Sequence, residues 1–518
     1  MGSRRQFLKA ALSLAVAPPA RSAGAPQVIR AASALPKMPS GVMSGDVSLE
    51  GAVIWSRTDR PARMFIEYAT NDRFENSFGV RGPVALEDSD FTAQVTLTEL
   101  PWGQRIFYRV LFEDIGDPMF SSPPMAGSFQ TPTWGSTRDV SFSFSGDEAG
   151  QGWGISEDFG GYKIYETMRQ LAPDLFLHLG DQIYADGPLA DSVRLPDGRI
   201  WNNHVTEAKR QVAQSLDQFR GNFAYNHLDE NRRGFAAEVP FVVQWDDHET
   251  RNNWYPGQII DDPRYHQERR SSVLAAYANR AMFEYNPIRL NPNVRDRLYR
   301  QINYGPLLEI FVLDQRSYRA NNSENLQADG DSGEALLGGE QLRWLQGALA
   351  NSLSTWKVIA SDMPLSLVVS DNTEGMPHIE GLANGEHKSA KGRELEIAGL
   401  LTFIKDHNIE NVIFVSADVH YASAVSYHPD RASIGAFKPF WEFIAGPLHA
   451  GSFGPNEIDR TFGPQVEFVQ GPEYANQSPA DGFQFFGFGN IDHKTKALTV
   501  SLINAAGESL YEKTLDPR

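Results

Sequence analysis

The sequence predicts a layered α/β protein preceded by a small β-sandwich. Three observations carry that prediction. Six apolar runs between Val140 and Val415 read as buried strands. Segments with helical spacing lie between them. Ahead of them, from Ser44 to Thr131, short alternating runs are separated by Gly, Pro and Asp turns.

Near the start of the chain stands Ser3-Arg4-Arg5-Gln6-Phe7-Leu8-Lys9, which fits a twin-arginine export signal. An apolar stretch, Ala10 to Val16, comes next, and Ala23-Gly24-Ala25 offers a small-residue cleavage site. That stretch is too short to anchor in a bilayer. Residues 1–30 are therefore read as signal and linker. The mature protein is expected to be handed folded to the twin-arginine machinery and delivered to the periplasm or outside the cell, with no transmembrane segment.

Residues 36–133 form the expected β-sandwich. Its strands are Ala52–Ser56, Met64–Ala69, Thr92–Leu97 and Ile106–Leu111, and Trp55 and Trp102 belong to its core or an interface. The larger domain spans 138–518. Its helices are expected at 162–171, 338–349 and 394–407, and residues 497–514 close it as a β-hairpin.

Where the strands end is the informative feature. Val140–Phe144 leads into Asp147, Leu175–Leu179 into Asp181, and Phe241–Trp245 into Asp246-Asp247-His248-Glu249. Leu308–Leu313 leads into Asp314-Gln315-Arg316, Trp356–Ala360 into Asp362, and Val412–Val415 into Asp418-Val419-His420. In open α/β sheets, sites form outside the carboxyl ends of strands. One acid after a strand is ordinarily an Asx turn or a helix N-cap. The set is different, because Asp147, Asp181, Asp247 and Asp418 converging beside His420 would repel one another strongly. Bound cations relieve that repulsion. Oxygen and imidazole donors suit Ca²⁺, Mg²⁺, Mn²⁺ or Fe³⁺. The chain has no cysteine, which excludes disulfides and thiolate metal sites. Its formal net charge of −18 argues against nucleic-acid binding.

These segments resemble the metallophosphoesterase motif series, and within it the PhoD-like alkaline phosphatases. The resemblance rests on Gly180-Asp-Gln-Ile-Tyr184-Ala-Asp186, Trp245-Asp-Asp-His-Glu249 with Asn252-Asn253, Leu313-Asp-Gln-Arg-Ser-Tyr-Arg319 and Ser416-Ala-Asp-Val-His-Tyr421. Gly41-Val-Met-Ser-Gly-Asp46 with Val53-Ile-Trp-Ser-Arg57 is similar to the family's small β domain. The likeness implies a metallophosphoesterase-like catalytic domain and a multi-metal site of iron and calcium. Asp181 would bridge metals and Tyr184 would add a phenolate. Asp247, one or both of Asn252 and Asn253, Asp418 and His420 would complete the ligands. Better-known members carry a cysteine ligand after the first strand. Here Asp147 stands there, with Glu148 beside it. Asp362 is a further candidate ligand, two residues before Pro364.

The expected reaction is in-line attack of metal-activated water on phosphorus. Arg316 would clamp the phosphoryl group and His248 would protonate the leaving oxygen or hold the phosphate. His178, inside an apolar strand, is read as structural. The substrate is a small-molecule or lipid phosphate ester, and the protein is expected to be a monomer. A phosphodiesterase or phospholipase D-type activity on the same residues is the first alternative. A non-enzymatic cation-binding module is the second, disfavoured because such a module needs neither Arg316 nor His248. Residues 187–240 are read as a loop shaping access.

Overall fold

The computed structural model describes residues 35–328, 335–371, 378–435 and 437–518, so the twin-arginine segment lies outside the described residues. Two large sheets dominate. The first has nine strands, in the order Ser509–Leu515, Leu498–Asn504, Phe485–Ile491, Val140–Ser145, Leu175–Leu179, Phe241–Gln244, Val42–Ser48, Gly51–Arg57 and Thr92–Leu97. The second has seven: Arg300–Asn303, Leu308–Val312, Trp356–Ala360, Val412–Ser416, Phe440–Ile444, Ala422–Tyr427 and Pro464–Gln470. The six strands read from sequence divide three and three between the sheets. Within each trio they run parallel.

The period-2 alternation of each strand explains the layering. Phe142, Leu177 and Val242 of the first sheet meet Ile310, Val358 and Ile413 of the second in one core. Phe176 and Val243 point the other way, onto the helices Lys163–Leu171, Glu230–Glu238 and Ser271–Tyr285. Phe311, Ile359 and Phe414 do the same on the second sheet, against Gly338–Asn351 and Glu394–Asp406. The result is helices, sheet, sheet, helices. All six strands end at the same edge of this sandwich.

The N-terminal region is made of sheets, as expected, but one of them is shared. Ala62–Ala69, Phe78–Ala85, Arg105–Asp114 and Met125–Gln130 form a separate four-stranded sheet. The ladder starting at Val42–Ser48 instead continues the nine-stranded sheet through a parallel pairing of Gly45 with Phe241. Any Cβ at Gly45 would lie 2.6 Å from the Phe241 carbonyl oxygen, so this junction requires glycine. Trp55 is buried and donates from Nε1 to the Glu284 carbonyl at 2.7 Å. Trp102 is 57% exposed, edge-on to Trp134, so it is not part of the core. Residues 187–240 are not a loop either. They hold the ribbon Ser192–Arg194 with Ile200–Asn202 and two helices, Leu216–Asn226 and Glu230–Glu238, that pack under the first sheet.

Candidate metal centre and active site

The loops leaving the parallel strands are stitched to one another by their backbones. Asp147 N donates to Gly180 O at 3.2 Å, Glu148 N to Asp181 O at 2.7 Å, and Ala417 N to Asp362 O at 3.1 Å. Glu249 acts as a staple: its carboxylate accepts from the backbone N–H groups of Asp181, Gln182 and Asp246, at 3.1, 2.6 and 2.8 Å. Gly180, at φ +111°, lets this turn pass Asp246, whose Cβ would stand 2.5 Å from any Cβ at position 180. Asp147, Asp181, Asp418 and His420 all have positive φ, between 52° and 67°. Such clustered left-handed, non-glycine residues are characteristic of functional sites held by their surroundings.

Three overlapping groups of ligand atoms result, each within 4.8 Å. Asp147, Asp181 and His420 form the first, Asp181, Asp247 and His248 the second, and Asp246, Asp247 and Asp418 the third. Asp181 belongs to two groups and Asp247 to two, which suits carboxylates shared between adjacent cations. Neither Asp147 oxygen has a hydrogen-bond partner, although the residue is 1% exposed. Burial and the nearby Asp246 carboxylate push its acid well above the ordinary carboxylate range. Burial and Asp247 do the same to Asp181. A multivalent cation would take the place of those protons, so the residues fit oxygen-seeking metals.

His420 is prepared as a neutral ligand. Its Nδ1 bonds the Gly451 carbonyl, leaving Nε2 facing Asp147 Oδ1 at 3.7 Å and the Tyr184 hydroxyl at 2.9 Å. Burial lowers its pKa to about 4. Tyr184 thus stands beside the first group, with its ring 4.2 Å from that of His248. His248 differs from His420. Its Nδ1 meets Asp186 Oδ1 at 2.6 Å. Burial opposes its charge, but the Asp186 and Asp247 carboxylates prevail and raise its pKa to about 9. His248, Tyr184 and Asn252 line an open cavity of about 510 Å³, together with Gln151, Arg251 and Arg264.

The other expected residues fall elsewhere. Arg316 is fully buried and enclosed by carboxylates: Asp246 and Glu380 pair with it directly, and Asp362 Oδ2 lies 3.5 Å from its Nε. A guanidinium so engaged is not presented to a phosphoryl group, which corrects the clamp expected of it. It neutralises the acids behind the metal ligands instead. Asp362 sits in that same supporting layer. Asn253 N donates to Asp247 Oδ2 at 2.5 Å while its amide turns to Asp371 at 3.2 Å, whereas Asn252 is the member of the pair on the cavity wall. Asp314 receives Trp245 Nε1 and the N–H groups of Arg316 and Ser317, an ordinary turn-forming acid. His178 contacts Glu148 at 3.4 Å, beneath the site.

Strand-end patterns did not single out Asp246, Asp186, Glu249 or Glu380. Asp246 is visible in the sequence as half of an acid doublet, and Asp186 and Glu249 stand inside the motifs themselves. Glu380, reached from a distant loop, carries no local signal.

The layered fold with candidate metal ligands at one edge is that of metallophosphoesterase-type proteins. The chain superposes on the structure of PhoD with a TM-score of 0.69 at 21% identity, covering 95% of this chain and 94% of that one. It superposes on the purple acid phosphatase PPD1 from yellow lupin seeds with a TM-score of 0.55 at 11% identity, covering 93% and 74%. Residues 144–502 match the PhoD-like phosphatase family and residues 22–133 its N-terminal domain. The chain belongs to the PhoD-like phosphatase family. It is 31% identical over 310 residues to alkaline phosphatase D of Bacillus subtilis (strain 168), a match covering 58% of this chain and about half (50%) of that relative.

Proposed function

We propose that the protein is a metal-dependent hydrolase of phosphoric esters. One observation carries the reading: buried carboxylates, among them Asp147 with no hydrogen-bond partner at either oxygen, converge with a neutral imidazole near an open cavity. Bound cations supply charge neutralisation and an activated water for in-line attack on phosphorus. Asp181 and Asp247, each in two of the candidate groups, would hold the cations. Asp147, Asp418 and His420 complete the ligand set, with Tyr184 and Asn252 at its margin. His248, oriented by Asp186, holds a proton facing the cavity and delivers it to the leaving oxygen. The cavity wall includes the polar or charged Gln151, Asp186, Asn252, Arg251, Asp262 and Arg264, which suit a small polar ester.

The oxygen-rich groups fit Ca²⁺, and the group of Asp147, Asp181 and His420 beside Tyr184 fits Fe³⁺. A ferric–phenolate pair at Tyr184 gives visible charge-transfer absorption that Tyr184→Phe removes, whereas a calcium-only centre is colourless. Export by the twin-arginine route is part of the same reading. It is supported by Arg4-Arg5 ahead of an apolar stretch. No helix among the described residues is long and apolar enough to cross a membrane. Lysine at both arginine positions is expected to leave the protein unexported.

The deciding experiment is hydrolysis of matched aryl phosphate mono- and diesters by the mature protein, before and after chelation, with Ca²⁺ and Fe³⁺ returned. Chelator-sensitive turnover supports the reading, and the faster ester ranks phosphomonoesterase against phosphodiesterase. A metal-loaded protein inert toward both sinks it.

A further inference from the structure

The geometry points to Arg251 as the side chain that captures the substrate's phosphoryl oxygens, the part that strand-end placement suggested for Arg316. This inference rests on the phosphoesterase reading of the site.

The arginines near the centre differ in what they are committed to. Arg316 is surrounded by Asp246, Glu380 and Asp362. Arg319 shares Glu380, and Arg393 is spent on the carbonyls of Glu380 and Ala320. Arg264 reaches the cavity wall but forks onto Asp262 at 2.7 and 2.9 Å. Arg251 is the exception among the described residues. It is 9% exposed, and it lines the same cavity as His248, Tyr184 and Asn252. No carboxylate lies within ion-pair distance of it among the described residues. Its guanidinium makes two contacts through one nitrogen, to Asn252 O and Gln258 Oε1, both at 3.5 Å, the outer limit of a hydrogen bond.

Nε and Nη2 of this guanidinium have no hydrogen-bond partner among the described residues. The position is nevertheless fixed. Arg251 N donates to Asp247 O at 2.7 Å, in the turn that also carries His248. The two acids on the same wall are already used, Asp186 by His248 and the Asn252 N–H, Asp262 by Arg264. There remain guanidinium donors on the cavity wall, in the turn that carries His248, able to bind a phosphoryl oxygen.

Counting oxygens gives a selectivity. A diester has two nonbridging oxygens, which the bound cations would engage. A monoester or free phosphate has a third, left over for Arg251. Loss of Arg251 therefore weakens monoesters more than diesters.

The test uses the metal-loaded mature protein with Arg251→Gln and Arg251→Met, either of which decides if only one folds. Calorimetric titration with inorganic phosphate is the primary readout, with metal content per chain as the control. Phosphate affinity is expected to fall about tenfold or more at unchanged metal content. Monoester kcat/KM is expected to fall about a hundredfold, against less than about fivefold for the diester. Phosphate affinity within twofold of the parent in a folded variant overturns the inference, whatever the turnover. A parent that turns over esters while the variants match it also overturns it, leaving the hydrolase reading intact. A parent inert toward esters that binds phosphate through Arg251 sinks the hydrolase reading instead.

Discussion

Asp147 and Glu148 are neighbours in sequence, both buried, and electrostatically opposite. Glu148 faces inward. Arg232 Nε lies 2.7 Å from its Oε1, the Tyr165 hydroxyl donates to its Oε2 at 3.0 Å, and His178 stands behind it. Burial opposes its ionisation, yet Arg232 and His178 hold the acid below its ordinary value. Asp147 is just as buried, but neither of its oxygens has a hydrogen-bond partner, and burial with the nearby Asp246 carboxylate pushes its acid well above the ordinary range. One network is closed and neutralised from within. The other is an excess of negative charge completed from outside. The contrast separates the part of the molecule that is scaffold from the part proposed to bind cations.

The largest expected effect tests the open side. Asp181→Asn removes a carboxylate shared by two ligand groups, and turnover of an aryl phosphate is expected to fall about a thousandfold, with metal content dropping in parallel. Chelation of the parent protein reproduces that loss, and metal return reverses it only in the parent. Equal activity and metal content in the variant would falsify the shared-ligand assignment.

The next effect is on stability and has opposite signs at the two neighbours. Glu148→Gln leaves Arg232 buried without its counter-charge and is expected to destabilise the protein by about 3 kcal/mol in urea unfolding. Asp147→Asn relieves repulsion instead, so the chelated variant is expected to be at least as stable as its parent. Loss of stability at both positions would erase the distinction. A smaller, quantitative version is proton release. Because burial raises Asp147 and Asp181 toward protonation, metal binding is expected to expel protons, measured by calorimetry in buffers of different ionisation enthalpy.

The smallest effect lies at Glu442, a buried acid on the second sheet. It accepts from Leu365 N at 3.0 Å, Ser416 Oγ at 3.1 Å and the Tyr427 hydroxyl at 2.6 Å. Burial raises its pKa from 4.5 to about 7. The folded state therefore binds this proton more tightly than the unfolded chain. Its contribution to stability is full below about pH 4.5 and is lost as pH rises through about 7. Glu442→Gln is expected to flatten the pH dependence across that window by on the order of 1 kcal/mol, read from unfolding midpoints at pH 5 and pH 8.

Much of the fold and of the site was legible in the chain itself. The strand at 175–179, the helix ending at Leu171 and the hairpin beginning near Leu498 are set by period-2 and period-3.6 patterns, which are local. The convergence of Asp147, Asp181, Asp247, Asp418 and His420 was legible for a related reason. A parallel strand delivers the residues after its last ladder position to one edge, whatever its neighbours are. Arg316 shows where the logic stops. Its position after a strand is the same kind of signal, but whether a side chain faces ligand or core depends on what the opposing loops bring. The loop carrying Glu380 brings a carboxylate that closes around it. Arg251 shows the converse, since nothing in Thr250-Arg251-Asn252 marks a guanidinium that the fold leaves unspent.

Element types, the edge at which the chemistry gathers, the kind of donor atoms available and the exclusion of thiolate ligands were all written in the order of the residues. They depend on spacing and side-chain chemistry carried within a few positions. Three outcomes needed the assembled fold: the division of six strands between two facing sheets, the extension of one sheet by the N-terminal ladder through Gly45, and the choice of which charges receive protein partners. They depend on residues such as Arg232 and Glu380, far along the chain from the acid or arginine they neutralise. Electrostatic pairing across loops is settled by the packing that brings them together.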